Sequence, residues 1–329
     1  MTNKILVTGG AGYIGSVLIN QLLQNGYSVR VLDIFLFGGE SLLHLQTYKN
    51  LEIINGDIRD RATLKSALKG VTDVIHLAAL VGEPACKENP EVTKQINLEA
   101  TKTLAKLSKL QNVNHFIFTS TCSNYGISSP DAEATEKSDL YPLSLYAETK
   151  IASENYLLSL TDKKFKPTIL RLATIFGLSP RMRFNLMLNE FAREVVLGNK
   201  ISVRNENAWR PFLHTKDISD AINLTLKTSL SKVGGEIYNI VGENIQKQYL
   251  AFLAKKYNPK INIIIEEGNS GDRRDYRVSA DKFRKRIHWQ PKISIEEGFK
   301  EITEAIKMGI FLDPYEFKYN GWYNKKILE

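Results

Sequence analysis

The sequence predicts an α/β fold: a doubly wound parallel sheet followed by a smaller C-terminal α/β lobe. Three observations carry this. The first half of the chain alternates short β-prone runs with helical patterns. Its opening run, Lys4-Ile5-Leu6-Val7-Thr8, leads into a loop with glycines at Gly9, Gly12 and Gly15, after which Val17, Leu18, Leu22 and Leu23 recur at helical spacing. Beyond Ile169-Leu170-Arg171-Leu172 the regular alternation loosens, which divides the chain into 1–170 and 171–329, with some later segments returning to the sheet.

A strand, a glycine turn and a helix start in that order are the Rossmann arrangement. A side chain at Gly9 or Gly12 would hold a pyrophosphate off the backbone, while free amides and the helix dipole attract its charge. Helix–strand packing can ask for the same glycines, so context decides. The next strand, Ser28 to Leu32, ends on Asp33, close to the spacing at which an acidic residue accepts hydrogen bonds from a ribose. A Gly38-Gly39 break, a short helical pattern over Ser41 to Tyr48 and a strand at Leu51 to Asn55 follow, the last running into Gly56-Asp57-Ile58. Next come a helix to Leu68, a buried strand over Asp73 to Ala79, a helix from about Glu91 to Leu110 and a strand over His115 to Ser120. Gly9, Asp33, Asp57, Ala78 and Thr121 then share the carboxyl ends of the strands, where such sheets bind ligands.

Composition narrows the class. The chain has 329 residues, 43% of them hydrophobic, enough for a large core. No charged-then-apolar leader and no run long enough to cross a bilayer is read, so a cytoplasmic protein with no membrane partner is expected. Cys86 and Cys122 are the only cysteines and sit in no metal-ligand cluster; both are read as reduced thiols. The net charge of +8 is spread among acidic residues, which fits anionic small substrates and argues against a nucleic-acid surface.

The chemistry lies in Thr119-Ser120-Thr121-Cys122-Ser123 and in Tyr146-Ala147-Glu148-Thr149-Lys150. Tyrosine and lysine four apart share a helix face, so an ammonium near the phenol would lower its pKa from about 10 toward neutrality. Such a phenolate takes a proton from a sugar hydroxyl, and Thr121 can hydrogen-bond the same oxygen. A Tyr/Lys pair by itself is more often a solvated helix face. His76 and His214, in apolar strand-like segments, are read as structural.

These segments together resemble the extended short-chain dehydrogenases/reductases of the NAD-dependent epimerase/dehydratase type. The resemblance rests on the Gly9-Gly12-Gly15 loop, Gly56-Asp57, His76-Leu77-Ala78-Ala79, the Thr121 segment, Tyr146 with Lys150, and Trp209 to His214 before Asp217. It extends to Ala79 to Cys86 and Leu178 to Phe184, which look like nucleotide-sugar epimerases. It implies NAD held by Gly9, Gly12, Tyr13, Ile14 and Gly15, with Asp33 on the adenosine ribose and Asp57 and Ile58 near the adenine. Leu77, Ala78, Ala79, Tyr146 and Lys150 would line the cofactor. Thr121, Tyr146 and Lys150 would form the catalytic set on a nucleotide-diphosphate sugar. Family position also implies that Arg210 and Arg274 grip the diphosphate, which suits a planar guanidinium, and that Asn185 contacts phosphate or sugar. For Arg273 a surface ion pair with Asp272 or Asp275 is the competing reading. Asp33, with no arginine in Ile34-Phe35-Leu36, favours NAD over its 2′-phosphorylated form.

Departures from the family pattern bear on the reaction. Sugar 4,6-dehydratases carry an acidic pair after the catalytic threonine; here Cys122 and Ser123 stand there, which disfavours loss of water unless Glu83, Glu148 or another residue supplies the proton transfer. The family's asparagine before a Tyr-Gly-Pro-like turn is also missing, since Arg171 to Leu178 has Thr174 and Leu178 there, and Glu83, Cys86, Thr174 and Arg183 are candidates for lining the sugar pocket. The expected activity is epimerisation through a 4-keto sugar. A dehydrogenase or reductase that releases or consumes the keto sugar is the alternative, and a non-catalytic nucleotide sensor the reading from another class. The plain reading of the apolar stripes on the Glu91–Leu110 and Tyr146 helices is packing on the sheet; the resemblance implies that these helices also pair between subunits, so a homodimer is expected. The aromatic-rich Phe311 to Leu328 segment is expected to cover an edge of the lobe.

Overall fold

The computed structural model describes residues 3–127, 132–266 and 273–321. Asp272 and the last residues of the Phe311–Leu328 segment therefore lie outside the described residues. A seven-stranded sheet forms the centre, in the order β10-β6-β5-β4-β1-β2-β3. Its strands are β1 (Lys4–Thr8), β2 (Ser28–Asp33), β3 (Leu51–Asn55), β4 (Asp73–His76), β5 (His115–Thr121), β6 (Thr168–Leu172) and β10 (Ile237–Ile240). Every neighbouring pair is parallel. Strand order reverses between β1 and β4, so a crevice opens above their carboxyl ends.

The strands are apolar because helices cover both faces. On one side α1 (Tyr13–Gln24) packs its Leu18, Ile19 and Leu22 into the larger core; on the other α2 (Arg61–Ala67), α5 (Thr101–Leu110) and α6 (Leu145–Ser159) enclose a second core around Leu6, Val74 and Phe118. Between β4 and α5 lie α3 (Glu83–Glu88), α4 (Pro90–Lys94) and a π turn over Gln95–Ala100. The wider turn places Asn97 against the loop after β4: its Oδ1 accepts from Leu80 N at 2.8 Å and its Nδ2 donates to Leu80 O at 2.9 Å.

Two differences from the sequence reading follow from these contacts. The buried strand stops at His76, and Leu77 to Ala79 leave the sheet to face the crevice. The residues after Gly39 form a 3-10 helix over Glu40–Leu45, shorter than the pattern to Tyr48.

The rest of the chain builds the lobe. A three-stranded sheet joins β7 (Thr174–Phe176), β9 (Trp209–His214) and β11 (Glu243–Gln246); a two-stranded one joins β8 (Ile201–Arg204) and β12 (Ile263–Glu266). Helices α7 (Met187–Leu197), α8 (Thr215–Lys227), α9 (Leu230–Val233), α10 (Lys247–Tyr257), α11 (Asp281–Ile287) and α12 (Ile295–Lys307) pack around them. Helix α7 ends at Gly198 with φ +76°, a left-handed cap that glycine adopts without a Cβ penalty. Past α12, Phe311 and Tyr319 meet Phe184 edge to face at 5.1 and 5.9 Å, so the C-terminal stretch packs on Phe184. Among the described residues no helix is long and apolar enough to cross a membrane.

Candidate active site

One cavity of about 1150 Å³ runs from the glycine loop across the sheet switch point into the lobe. At its first end α1 begins at Gly12, an N-cap with no side-chain hydrogen bond, so no side chain of its own caps the first-turn amides. A Cβ on Gly12 would lie 3.1 Å from Gly9 O, whereas one on Gly9 would stand 2.7 Å from Ala78 N. Gly9, at φ +74°, thus serves the approach of the Ala78 backbone, and Gly12 keeps the helix start low. This cradle fits a dinucleotide pyrophosphate. Asp33, at the end of β2, accepts from Ala11 N at 2.9 Å and Phe35 N at 2.8 Å, and retains the lone-pair capacity a ribose would use. Burial raises its carboxyl above the usual range, opposed by those amides and by the Arg181 charge.

At the centre, β5 ends on Thr121, whose Oγ1 accepts from Ser123 N at 3.1 Å, leaving the O–H as donor. Helix α6 starts at a Ser144 cap and sets Tyr146 and Lys150 one turn apart on the cavity wall. Lys150 Nζ donates to Thr119 O at 2.9 Å and stands 5.8 Å from the centroid of the Tyr146 ring. Burial lowers the ammonium to about 8, with Glu154 opposing. Burial likewise pushes the Tyr146 phenol up, with Cys86 adding to it; the cations that oppose it are Arg183 and Arg274. The expected near-neutral phenol is therefore not met in the free cavity, because desolvation outweighs the charges around it.

At the far end Arg274 Nη1 donates to Ser123 Oγ at 3.0 Å and its Nε lies 3.5 Å from Glu83. Arg210, 3% exposed, donates to Trp209 O at 2.8 Å with its guanidinium over Tyr276. Asn185 Oδ1 accepts from Arg183 Nε at 3.3 Å, and Thr174 opens β7 on the same wall. Asp275 Oδ1 accepts from Trp209 N at 2.8 Å.

The family model for the NAD-dependent epimerase/dehydratase family matches residues 5–241. The chain belongs to that family. UDP-glucose 4-epimerase 2 of Arabidopsis thaliana is 27% identical, covering 92% of this chain and 94% of that one. A UDP-N-acetyl-alpha-D-glucosaminuronate decarboxylase of Bacillus cytotoxicus is also 27% identical, covering 92% and 98%. Among solved structures, UDP-glucuronic acid 4-epimerase from Bacillus cereus, in complex with UDP-glucuronic acid and NAD, superposes with a TM-score of 0.84 at 25% identity over 93% and 99% of the chains.

The family is NAD-dependent, and the glycine loop shares the cavity with Gly15, Ile14, Asp33, Ile58, Leu77, Ala78 and Ala79. The Tyr13 hydroxyl is engaged within the protein: it donates to Gly177 O at 2.6 Å and accepts from Asn189 Nδ2 at 2.8 Å. Asp57 lines the cavity with its carboxylate already paired to Arg59 at 2.6 Å. Cys86 does not line it; it lies beneath Leu80, donating to that carbonyl at 3.4 Å, and burial pushes its thiol up to about 11. Cys122 donates to Arg171 O, and burial pushes it up further, so neither thiol has nucleophile character. His76, between Thr8 and Thr101, and His214, bonded to Glu301 at 2.6 Å, stand away from the reacting end. Sequence reasoning missed Phe37, in the loop that follows Asp33, and Arg181, which lines the same cavity from a segment far away in the chain.

Proposed function

We propose that this chain is an NAD-dependent epimerase of a nucleotide-diphosphate sugar, inverting the sugar's fourth carbon through a transient 4-keto sugar. The observation that carries this reading is the convergence of Thr121, Tyr146 and Lys150 on one wall, with Cys122 turned into the core and Ser123 engaged by Arg274. The two positions after the threonine are thus unsuited to acid–base work on neighbouring carbons. Tyr146 takes the proton of the C4 hydroxyl while Thr121 donates to the same oxygen. Bound NAD supplies the hydride acceptor and a positive charge that favours the phenolate. Lys150 adds a second cation below its pKa of about 8. Arg210 and Arg274 would hold the diphosphate, and Asn185, Thr174 and Glu83 would face the sugar and leave it free to present its other face to the cofactor end. On this reading residues 1–170 hold cofactor and catalytic set, and 171–329 the nucleotide sugar.

The relatives named as UDP-sugar enzymes support the substrate class. Replacing Tyr146 by Phe is expected to lower turnover about 10²- to 10⁴-fold with NAD binding retained; unchanged turnover would remove the phenol from the mechanism. We further propose, from the family resemblance, a homodimer in which α5 and α6 pair between subunits. A monomer by light scattering at micromolar concentration would contradict the dimer.

A further inference from the structure

Arg181 belongs to none of the motifs that hold the cofactor, yet its side chain is buried at the cofactor end of the cavity, 7% exposed, on the wall that includes Asp33, Phe37 and Gly12. A buried guanidinium is costly unless acceptors or an anion meet it. The fold fixes this one from three directions. Its segment is tied to the start of α1, where Ser179 Oγ donates to Tyr13 O at 2.7 Å and stands 3.0 Å from Ser16 Oγ. Its guanidinium lies 3.8 Å from the ring centroid of Phe37, in the loop that follows Asp33. Its Nη1 donates to Met182 O at 3.2 Å, and its Nη2 to Asn320 O at 2.8 Å. The C-terminal stretch completes the hold, since Phe317 meets Phe37 at 5.6 Å between centroids and Phe184 N donates to Tyr319 O at 2.8 Å.

A permanent cation therefore lines the same cavity as the Asp33 carboxylate and the helix start at Gly12, close enough to Asp33 to oppose the rise of its pKa. We propose that Arg181 binds the pyrophosphate of the dinucleotide, and that the C-terminal segment 310–321 positions it. The helix start offers amides and a partial charge; Arg181 adds a full charge and directed donors. A role at a 2′-phosphate is disfavoured by Asp33, which would repel that group. The segment for which the sequence offered only an edge-covering role thereby acquires a part in cofactor retention.

The test is calorimetric titration of the cofactor-free full chain with NAD, ADP-ribose, adenosine and NADP. It uses no sugar, so an error in the epimerase reading leaves it intact. Arg181→Met is expected to weaken NAD and ADP-ribose about 10- to 100-fold, the worth of one or two charge-assisted hydrogen bonds, and adenosine less than about twofold. Phe317→Ala, which loosens the hold from a distance, is expected to weaken NAD several-fold with adenosine unchanged. Unchanged NAD affinity in Arg181→Met, or equal losses for adenosine and ADP-ribose, overturns the proposal. A loss confined to NADP also overturns it. Thermal melting of each cofactor-free variant accompanies the titrations. Should Arg181→Met melt far below the parent, Arg181→Lys is read in its place, with several-fold weaker NAD supporting the proposal and unchanged NAD overturning it.

Discussion

His76 shows at the residue scale how burial sets chemistry in this molecule. It lies between the hydroxyls of Thr8 and Thr101 and is 1% exposed, and burial lowers its pKa to about 3; His115, against Thr168, is lowered to about 4. Both are neutral in the folded protein, while the unfolded chain protonates near 6.5. The unfolded state thus binds more protons below that value, and stability falls as pH drops from 6.5 toward each folded pKa. Each histidine is expected to remove about 1.4 kcal/mol per pH unit in that window. Urea unfolding at pH 7, 6 and 5 checks this, with a shallower slope in His76→Gln; an unchanged slope would place the acid sensitivity elsewhere. The sequence marked His76 as structural because it sat in an apolar strand, and packing supports that reading. The Tyr146 phenol was less legible. Its helical spacing to Lys150 is local, but the desolvation that dominates its pKa comes from chain segments the spacing does not record.

At the scale of elements, α6 carries more than its catalytic pair. One turn beyond Lys150, Glu154 is buried and pairs with Arg171 of β6 at 2.6 Å, accepts from Asn124 at 2.9 Å and from Ser120 of β5. This network locks α6 to the strand that ends in Thr121. Glu154→Ala would strand a buried guanidinium, and we expect a loss of about 3–5 kcal/mol in denaturant titration; a loss under about 1 kcal/mol would show that the network is not what fixes the helix. The glycine loop is equally exacting. Gly9→Ala must adopt φ +74° and bring a Cβ to 2.7 Å from Ala78 N, so it is expected to weaken NAD binding at least about tenfold. Elements with strong periodicity, such as α1, β1 and β5, were legible in the sequence. The π turn at Gln95–Ala100 was not, since the Asn97–Leu80 bonds made from it are tertiary, and α3, six residues long, is too short to show a helical period.

The whole molecule is organised by the reversal of strand order between β1 and β4, which opens one cavity to both halves of the chain. Residues far apart in sequence meet there because parallel crossovers bring every strand's carboxyl end to the same edge. Among the motif residues, Gly9, Asp33, Asp57 and Thr121 lie at or just past such strand ends and Gly12 at a helix start, which is why a local pattern announces them. Arg181 and the C-terminal stretch were not announced in this way, because only tertiary packing brings them to the cofactor end. The net charge of +8 is consistent at this scale with an anionic ligand, and Arg181, Arg183, Arg210 and Arg274 concentrate positive charge inside the cavity. The most direct test of the account is to incubate the purified protein with UDP-, GDP-, CDP- and TDP-sugars without added cofactor, and to follow mass and proton couplings. The account predicts a product of unchanged mass with new couplings at the fourth carbon. Loss of a water mass, or turnover only with added NAD and loss of two hydrogens, would contradict it.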